Sequence, residues 1–239
     1  MQDYVEACAR RPAAAHLGPL LDRVIADPRL HARFVNTLSR LEYVGVRKIL
    51  KSRRAERLDE EGLQHILDEA AHALRLKKAA VALAAASGVR GSAVGTFADG
   101  ATLAGDAGET YLQALDHRAE EALADLAPDA RGEVNYLLTS AAIEVRAQVF
   151  YPLYDARLKA RRAAFSVAAI MRDEGRHLDE MAAHLAAALP DWRPRLEPLL
   201  EAEEALFARF LTAVEAALDQ IDQIDQLDQL DRDGPVPHR

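Results

Sequence analysis

Half of the 239 residues are hydrophobic, enough to bury a substantial core, and the length requires no more than one domain. With 30 basic residues against 38 acidic ones the net charge is −8, which gives no general attraction to a phosphate backbone and argues against nucleic acid as the main partner. Cys8 is the single cysteine, so an intramolecular disulfide, a cysteine-based zinc site and a rubredoxin-type electron-transfer module are excluded.

The first residues lack a basic start followed by an apolar run, and no stretch reaches ~18 uninterrupted apolar residues, so a cytoplasmic chain with no membrane partner is expected. Alanine and leucine abound, β-branched alternation is nearly absent, and apolar residues recur at intervals of three and four, which predicts an all-α fold. A short opening helix is expected from near His16 to just before Asp27. The first long helix spans 28–54, with Pro28 suited to its first turn. A second begins at Asp59, where acidic residues complement the positive end of the helix dipole, and continues to Ala86. Their short link makes the two antiparallel neighbours.

Residues 87–109 hold six of the 12 glycines and no sustained helical period, which predicts a loop or crossover, flexible enough to lid a pocket. The stretch lacks the Gly-Lys-Ser/Thr ending of a phosphate loop, and no strand precedes it. A shorter helix follows over 110–126. A third long helix spans 130–160, kinked or interrupted at Pro152, and a fourth spans 163–189 before Pro190 ends it. The basic run from Arg157 to Arg162 reads as a solvated helix end. A final amphipathic helix covers 194–218 and closes a single domain over 1–218. The Leu/Ile-Asp-Gln unit repeated after it has a period of three, which drifts around a helix instead of holding one face. A fraying helix and then a disordered tail are expected over 219–239.

Two pentads carry the chemistry: Asp68-Glu69-Ala70-Ala71-His72 in the second long helix and Asp173-Glu174-Gly175-Arg176-His177 in the fourth. Three residues advance a helix by about 300°, so Glu69 and His72 share a face one turn apart, as do Glu174 and His177. Each pair can grip one metal ion. Both pairs sit on stripes that should be buried: Ile66, Glu69, His72, Ala73, Leu76, and Val167, Ile170, Met171, Glu174, His177, Leu178, Met181. The first long helix puts Glu42 on the stripe Val35, Leu38, Gly45, Val46, Ile49. The third puts Glu144 on Leu137, Ala141, Ala147, Gln148, Tyr151. An ionised carboxylate on such a face costs several kcal/mol, roughly, unless a partner or a metal compensates it. In chain order the four helices offer Glu, Glu-x-x-His, Glu, Glu-x-x-His, the inward-facing set of di-iron or di-manganese carboxylate bundles.

These residues resemble the ferritin-like diiron-carboxylate superfamily, which includes ferritins, rubrerythrins, the small ribonucleotide reductase subunit and bacterial multicomponent monooxygenases. The resemblance covers 28–189 and implies a ferritin-like four-helix bundle with a long crossover between its second and third helices and extra terminal helices. It implies that Glu42, Glu69 and His72 hold one iron and Glu144, Glu174 and His177 the other, with Glu69 and either Glu144 or Glu174 bridging. Manganese, or a manganese–iron pair, fits the same ligands. Asp173 to His177 matches the Asp-Glu-x-Arg-His form common among oxygenases; the first pentad has Ala71 where the arginine would stand. A metal-bound imidazole usually gives its free N–H to a carboxylate, so Asp68 is expected to orient His177 and Asp173 to orient His72.

The second Glu-x-x-His favours the oxygenase, oxidase and rubrerythrin branches over ferritin. The expected activity is that of an oxidoreductase that uses O2 to oxidise or hydroxylate a small organic substrate, fed by an external electron donor. The substrate would sit among Leu38, Ile66, Leu137, Ala141, Ile170 and Met171. Rubrerythrin- or ferritin-like handling of iron and peroxide is one alternative, and a tRNA-modifying diiron hydroxylase another. A homodimer stays open. His65, one turn before Glu69, is placed to be an additional ligand or to support one, but reads first as a partly exposed histidine, and His184 as lying at the bundle's edge. Tyr43, Tyr136, Tyr151 and Tyr154 include candidate redox neighbours of a metal, but at helical spacing they read first as packing residues.

Overall fold

Capping chemistry and proline placement set most of the helix starts. The computed structural model describes residues 1–52, 56, 58–88, 91–98 and 100–232. Among these, eight α-helices follow in chain order with no strand: α1 Gln2–Ala9, α2 Pro12–Ala26, α3 Pro28–Ser52, α4 Glu60–Ala86, α5 Gly105–Ala122, α6 Pro128–Ala160, α7 Ala168–Ala188 and α8 Trp192–Arg232. A short 3-10 turn, Gly91–Val94, lies between α4 and α5. The Asp27 carboxylate takes the N–H of Arg29 at 2.8 Å and opens α3, and Asp59 takes that of Gly62 at 2.9 Å and opens α4.

The all-α reading holds, with several boundaries corrected. The opening helix expected from near His16 is two helices, the second starting at Pro12, a favoured first-turn residue ahead of three alanines. The helix expected over 110–126 begins earlier, at Gly105, and ends at Ala122. α6 runs through Pro152 without interruption, because Phe150, Tyr151 and Tyr154 are buried on both sides of it and hold the flanking turns in place. α7 starts at Ala168, not Ala163. Arg162 adopts a left-handed φ of 51°, the Ala163 N–H reaches back to the Leu158 carbonyl at 2.9 Å, and the chain turns before Ser166 Oγ accepts the Ala168 N–H at 3.1 Å. The last helix continues past Leu218 through the repeat to Arg232. The expected end of the first long helix at Arg54, and residues 233–239 of the expected tail, lie outside the described residues.

α3 packs on α4 and α6 on α7, while α5 and α8 pack on each other and reach α3 and α6. The core falls into two apolar clusters. One holds Phe34, Leu38, Leu76, Tyr151 and Ile170; the other holds Ile49, Leu137, Ala141, Leu178 and Met181. On α3, α4, α6 and α7 the motif residues lie where one cluster gives way to the other. The band between the clusters is therefore polar and buried. No helix among the described residues is long and apolar enough to cross a membrane.

The described residues of the glycine-rich crossover are pinned to the bundle. Asn36 Nδ2 donates to the carbonyls of Thr96 at 2.9 Å and Ala101 at 2.7 Å, and Thr37 Oγ1 exchanges hydrogen bonds with the backbone of Leu103. This ties the segment to the first half of α3, a turn or more away from Glu42.

Candidate metal centre

Helical spacing aims Glu42 on α3, Glu69 and His72 on α4, Glu144 on α6, and Glu174 and His177 on α7 into the same band. Glu69 is 7 % exposed, Glu144 and Glu174 3 %, and the two histidines 0 %. Two groups form: Glu42, Glu69, His72 and Glu174, and His65, Glu69, Glu144 and His177. In each, one ligand atom per residue lies within 4.8 Å of all the others. These buried His/Glu clusters could hold metal ions.

Glu69 belongs to both groups. Glu174 also faces both ways, with Oε1 3.2 Å from His72 Nδ1 and Oε2 3.4 Å from His177 Nδ1. The resemblance implied Glu174 beside Glu144 and His177, with either glutamate able to bridge; the structure sets Glu174 between the two histidines. Glu144 Oε1 faces His177 Nδ1 at 3.6 Å and His65 Nε2 at 3.9 Å.

The outer nitrogen of each histidine meets an aspartate from the facing helix. His72 Nε2 lies 3.0 Å from Asp173 Oδ2, and His177 Nε2 lies 3.4 Å from Asp68 Oδ2. A carboxylate acceptor there favours a proton on Nε2, which leaves each Nδ1 to offer a lone pair inward. Both Nδ1 atoms are buried without a hydrogen-bond partner, as is Glu144 Oε2. Orphaned acceptors among carboxylates are what a bound cation satisfies, so the residues fit a metal. Arg176 bonds Asp68 and also Glu180. Ala71 gives Asp173 no such partner, and Asp173 is the more exposed of the pair, at 32 % against 15 % for Asp68.

His65 is the main correction to the site. It is 3 % exposed, not partly open to solvent, with Nε2 3.3 Å from Glu69 Oε1 and Nδ1 bonded to the Tyr136 hydroxyl at 2.8 Å. Burial pushes it down to about 3, with His177 adding to the effect, so it is a neutral imidazole at pH 7. The signal was available, since His65-x-x-x-Glu69-x-x-His72 keeps a single helix face. Tyr151 does more than pack: its hydroxyl donates to Glu42, and burial together with that carboxylate raises its phenol well above the usual range. Tyr154 is bonded to His31 at 2.7 Å, and Tyr43 lies exposed and stacked on Phe97. His184 sits at the edge, 2.5 Å from Glu61.

Burial, then the neighbouring carboxylates, raises Glu69 and Glu144 well above the usual carboxyl range. Burial alone would lower His72, but Glu174 and Glu42 outweigh it and push it up to about 12. Burial would likewise raise Glu174, and contacts to His177 and His72 reverse this and hold it low. Without a cation the cluster is therefore held together by protons. Burial opposes it, but Glu174 and Glu69 raise His177 as well. The four raised groups keep protons that the unfolded chain has released: the carboxyls above pH 4.5 and the histidines above 6.5, His72 up to about 12. Metal-free stability should accordingly fall as pH rises through that window. Metal must displace the same protons, so apparent affinity should rise by about tenfold per pH unit for each proton released. Titration calorimetry in buffers of different ionisation enthalpy measures this, and affinity independent of pH would contradict it.

Two cavities reach the cluster from the side of α5. One, of about 120 Å³, is lined by Leu38, Leu41, Leu112, Phe150, Phe207 and Phe210 and meets Glu42, Glu69, Glu144 and Glu174. The other, of about 200 Å³, runs past Lys48, Asp116 and Thr139 to His65, Glu69 and Glu144. Of the expected lining residues only Leu38 borders either cavity. Leu137, Ala141 and Ile170 belong to the packed core instead, and Ile66 and Met171 pack against it, because α5 and α8 supply the outer wall. Gly45 borders both cavities, and a Cβ built there would lie 2.5 Å from Glu69 Oε2. Gly45→Ala should therefore displace the Glu69 carboxylate and weaken metal binding at least tenfold, while helix propensity stabilises the metal-free chain by up to about 1 kcal/mol. Metal titration and thermal melts read the two effects separately.

Set against family models, curated proteins and solved structures, the chain matches none.

Proposed function

We propose that this chain is a ferritin-like dinuclear-metal oxidoreductase that uses O2 to oxidise or hydroxylate a small organic substrate. The observation that carries the reading is the convergence of three buried glutamates, the partly buried Glu42 and two buried histidines from α3, α4, α6 and α7, each histidine aiming an unpartnered Nδ1 inward. Four carboxylates balance the charge of two divalent cations, and two iron ions, or manganese in either position, suit this mix of oxygen and nitrogen donors. Bound iron would supply paired redox equivalents for the chemistry of O2.

The chain's own groups have definable tasks in that chemistry. Glu69 and Glu174 present oxygens to both halves of the cluster, Asp68 and Asp173 fix the imidazole tautomers, and Tyr151 holds Glu42 by donating its hydroxyl proton. Phe150, Phe207 and Phe210 exclude water from the smaller cavity, which supports an apolar substrate meeting the ligands there. Hydroxylation of a C–H bond by O2 consumes two electrons and two protons and yields the alcohol and water, so an external two-electron donor is part of the reading.

That apolar cavity favours an organic substrate over rubrerythrin- or ferritin-like turnover of iron and peroxide alone. A tRNA substrate would call for a basic mouth, yet Arg47 is paired with Glu109 at 2.9 Å and Lys48 with Asp116. The test is elemental analysis after anaerobic reconstitution, followed by O2 uptake with a chemical reductant and a panel of small apolar compounds. About two metal ions per chain and substrate-dependent O2 uptake are expected. A chain that takes up neither iron nor manganese refutes the proposal.

A further inference from the structure

The large hydrophobic side chains exposed among the described residues all lie on α3 and α4: Tyr43, Leu50, Leu63, Leu67 and Leu74, each between 45 % and 63 % exposed. On α4 the leucines form one stripe with Ala70. The order Leu63, Leu67, Ala70, Leu74 has intervals of four, three and four, the seam spacing of helices that pair along their length. This stripe faces away from His65, Glu69, His72 and Leu76, which point into the bundle. Monomeric proteins rarely leave such a contiguous apolar surface open to water.

The stripe is also symmetric end for end. Reversing α4 about the midpoint between Leu67 and Ala70 lays Leu63 on Leu74 and Leu67 on Ala70. Charge follows the opposite pattern, with exposed Asp59 and Glu60 at the start of α4 and exposed Arg75 and Lys78 beyond the seam. Two copies of α4 crossing antiparallel would thus set Leu63 against Leu74 and Leu67 against Ala70, apolar on apolar throughout, while setting each acidic end against a basic one. A parallel pairing would set like against like. Ala70 at the crossing allows the axes to approach to about 8–10 Å.

We propose that the outer face of α4 is the two-fold interface of a homodimer, with Tyr43 and Leu50 of α3 widening the apolar surface on its flank. The occupant of the stripe is a second copy of this chain, because self-complementarity of both spacing and charge is what an isologous contact requires.

Sedimentation velocity on the full chain, over concentrations up to about 100 µM, tests this. Wild type is expected at twice the 26.2 kDa chain mass. Leu67→Glu should sediment as a single chain with unchanged helical circular dichroism, since Leu67 supports nothing inside the bundle. Glu60→Lys and Lys78→Glu should each weaken the dimer by roughly tenfold, and combining them should restore it. A single-chain mass for wild type, a dimer that survives Leu67→Glu, or a double reversal that fails to restore association would each overturn the proposal. None of these readouts depends on metal or on the proposed activity.

Discussion

Glu69→Ala is expected to abolish metal binding at both halves of the cluster and, with it, the O2 chemistry proposed above. Glu69 is the one residue common to both groups of candidate ligands, and its Oε1 lies 3.3 Å from His65 and 3.8 Å from His177. Removing an outer partner of a metal site typically lowers affinity by about 10–100-fold, and loss of a shared ligand should exceed that. Thermal melts with and without metal give a second readout of opposite sign. The metal-free variant should be at least as stable as wild type, because alanine removes a carboxyl that burial and the neighbouring glutamates disfavour as a charged group. The stabilisation conferred by metal on wild type should disappear. Metal retained at wild-type stoichiometry would rule out the shared role of Glu69.

Arg146→Ala is expected to cost about 3–5 kcal/mol of stability, the loss that follows when one partner of a buried ion pair is removed. Arg146, on α6, and Glu203, on α8, are 4 % and 1 % exposed. The guanidinium donates through Nε to Glu203 Oε1 at 2.9 Å, and through Nη2 to Glu203 Oε2 at 2.7 Å and Glu204 at 2.6 Å. Tyr111, on α5, also donates to Glu203 at 2.8 Å, and Phe207 lies 4.4 Å beneath the guanidinium. Alanine would strand Glu203 as an unpaired buried charge and loosen the wall of the smaller cavity. Arg146→Met combined with Glu203→Leu should recover most of the stability, because it leaves no charge behind. Denaturant unfolding of the two variants distinguishes them, and equal losses would show that packing, not the stranded charge, dominates.

The position of Arg146, two residues after Glu144, shows why part of the site was hidden in the sequence. On α6 those two side chains leave the helix about 200° apart, so one enters the glutamate–histidine cluster and the other meets α8. The Glu-x-x-His pairs needed no such knowledge. Their ligands repeat within a single turn, and helix geometry alone sets them side by side. Glu42 and Glu144 were legible because each is a carboxylate on an otherwise apolar stripe. His65 kept the same face as Glu69 and a ligand role was open to it, but it was read first as partly exposed, since nothing along α4 reports how deep its first turns lie. Tyr151 and Gly45 matter through atoms of other helices, the Glu42 carboxylate and the Glu69 oxygen, and periodicity along one helix carries no such information.

The sequence by itself determined the all-α fold, the four helices that carry the Glu and Glu-x-x-His motifs and the residue types that face inward, because helix period and the expense of burying charge are local properties. Only the tertiary structure decided that Glu174 stands between the two histidines, that His65 joins the cluster, and that α5 and α8 wall the cavity beside it. Those outcomes depend on the relative rotation and depth of helices far apart in the chain, and these are fixed by packing between side chains that no single helix contains.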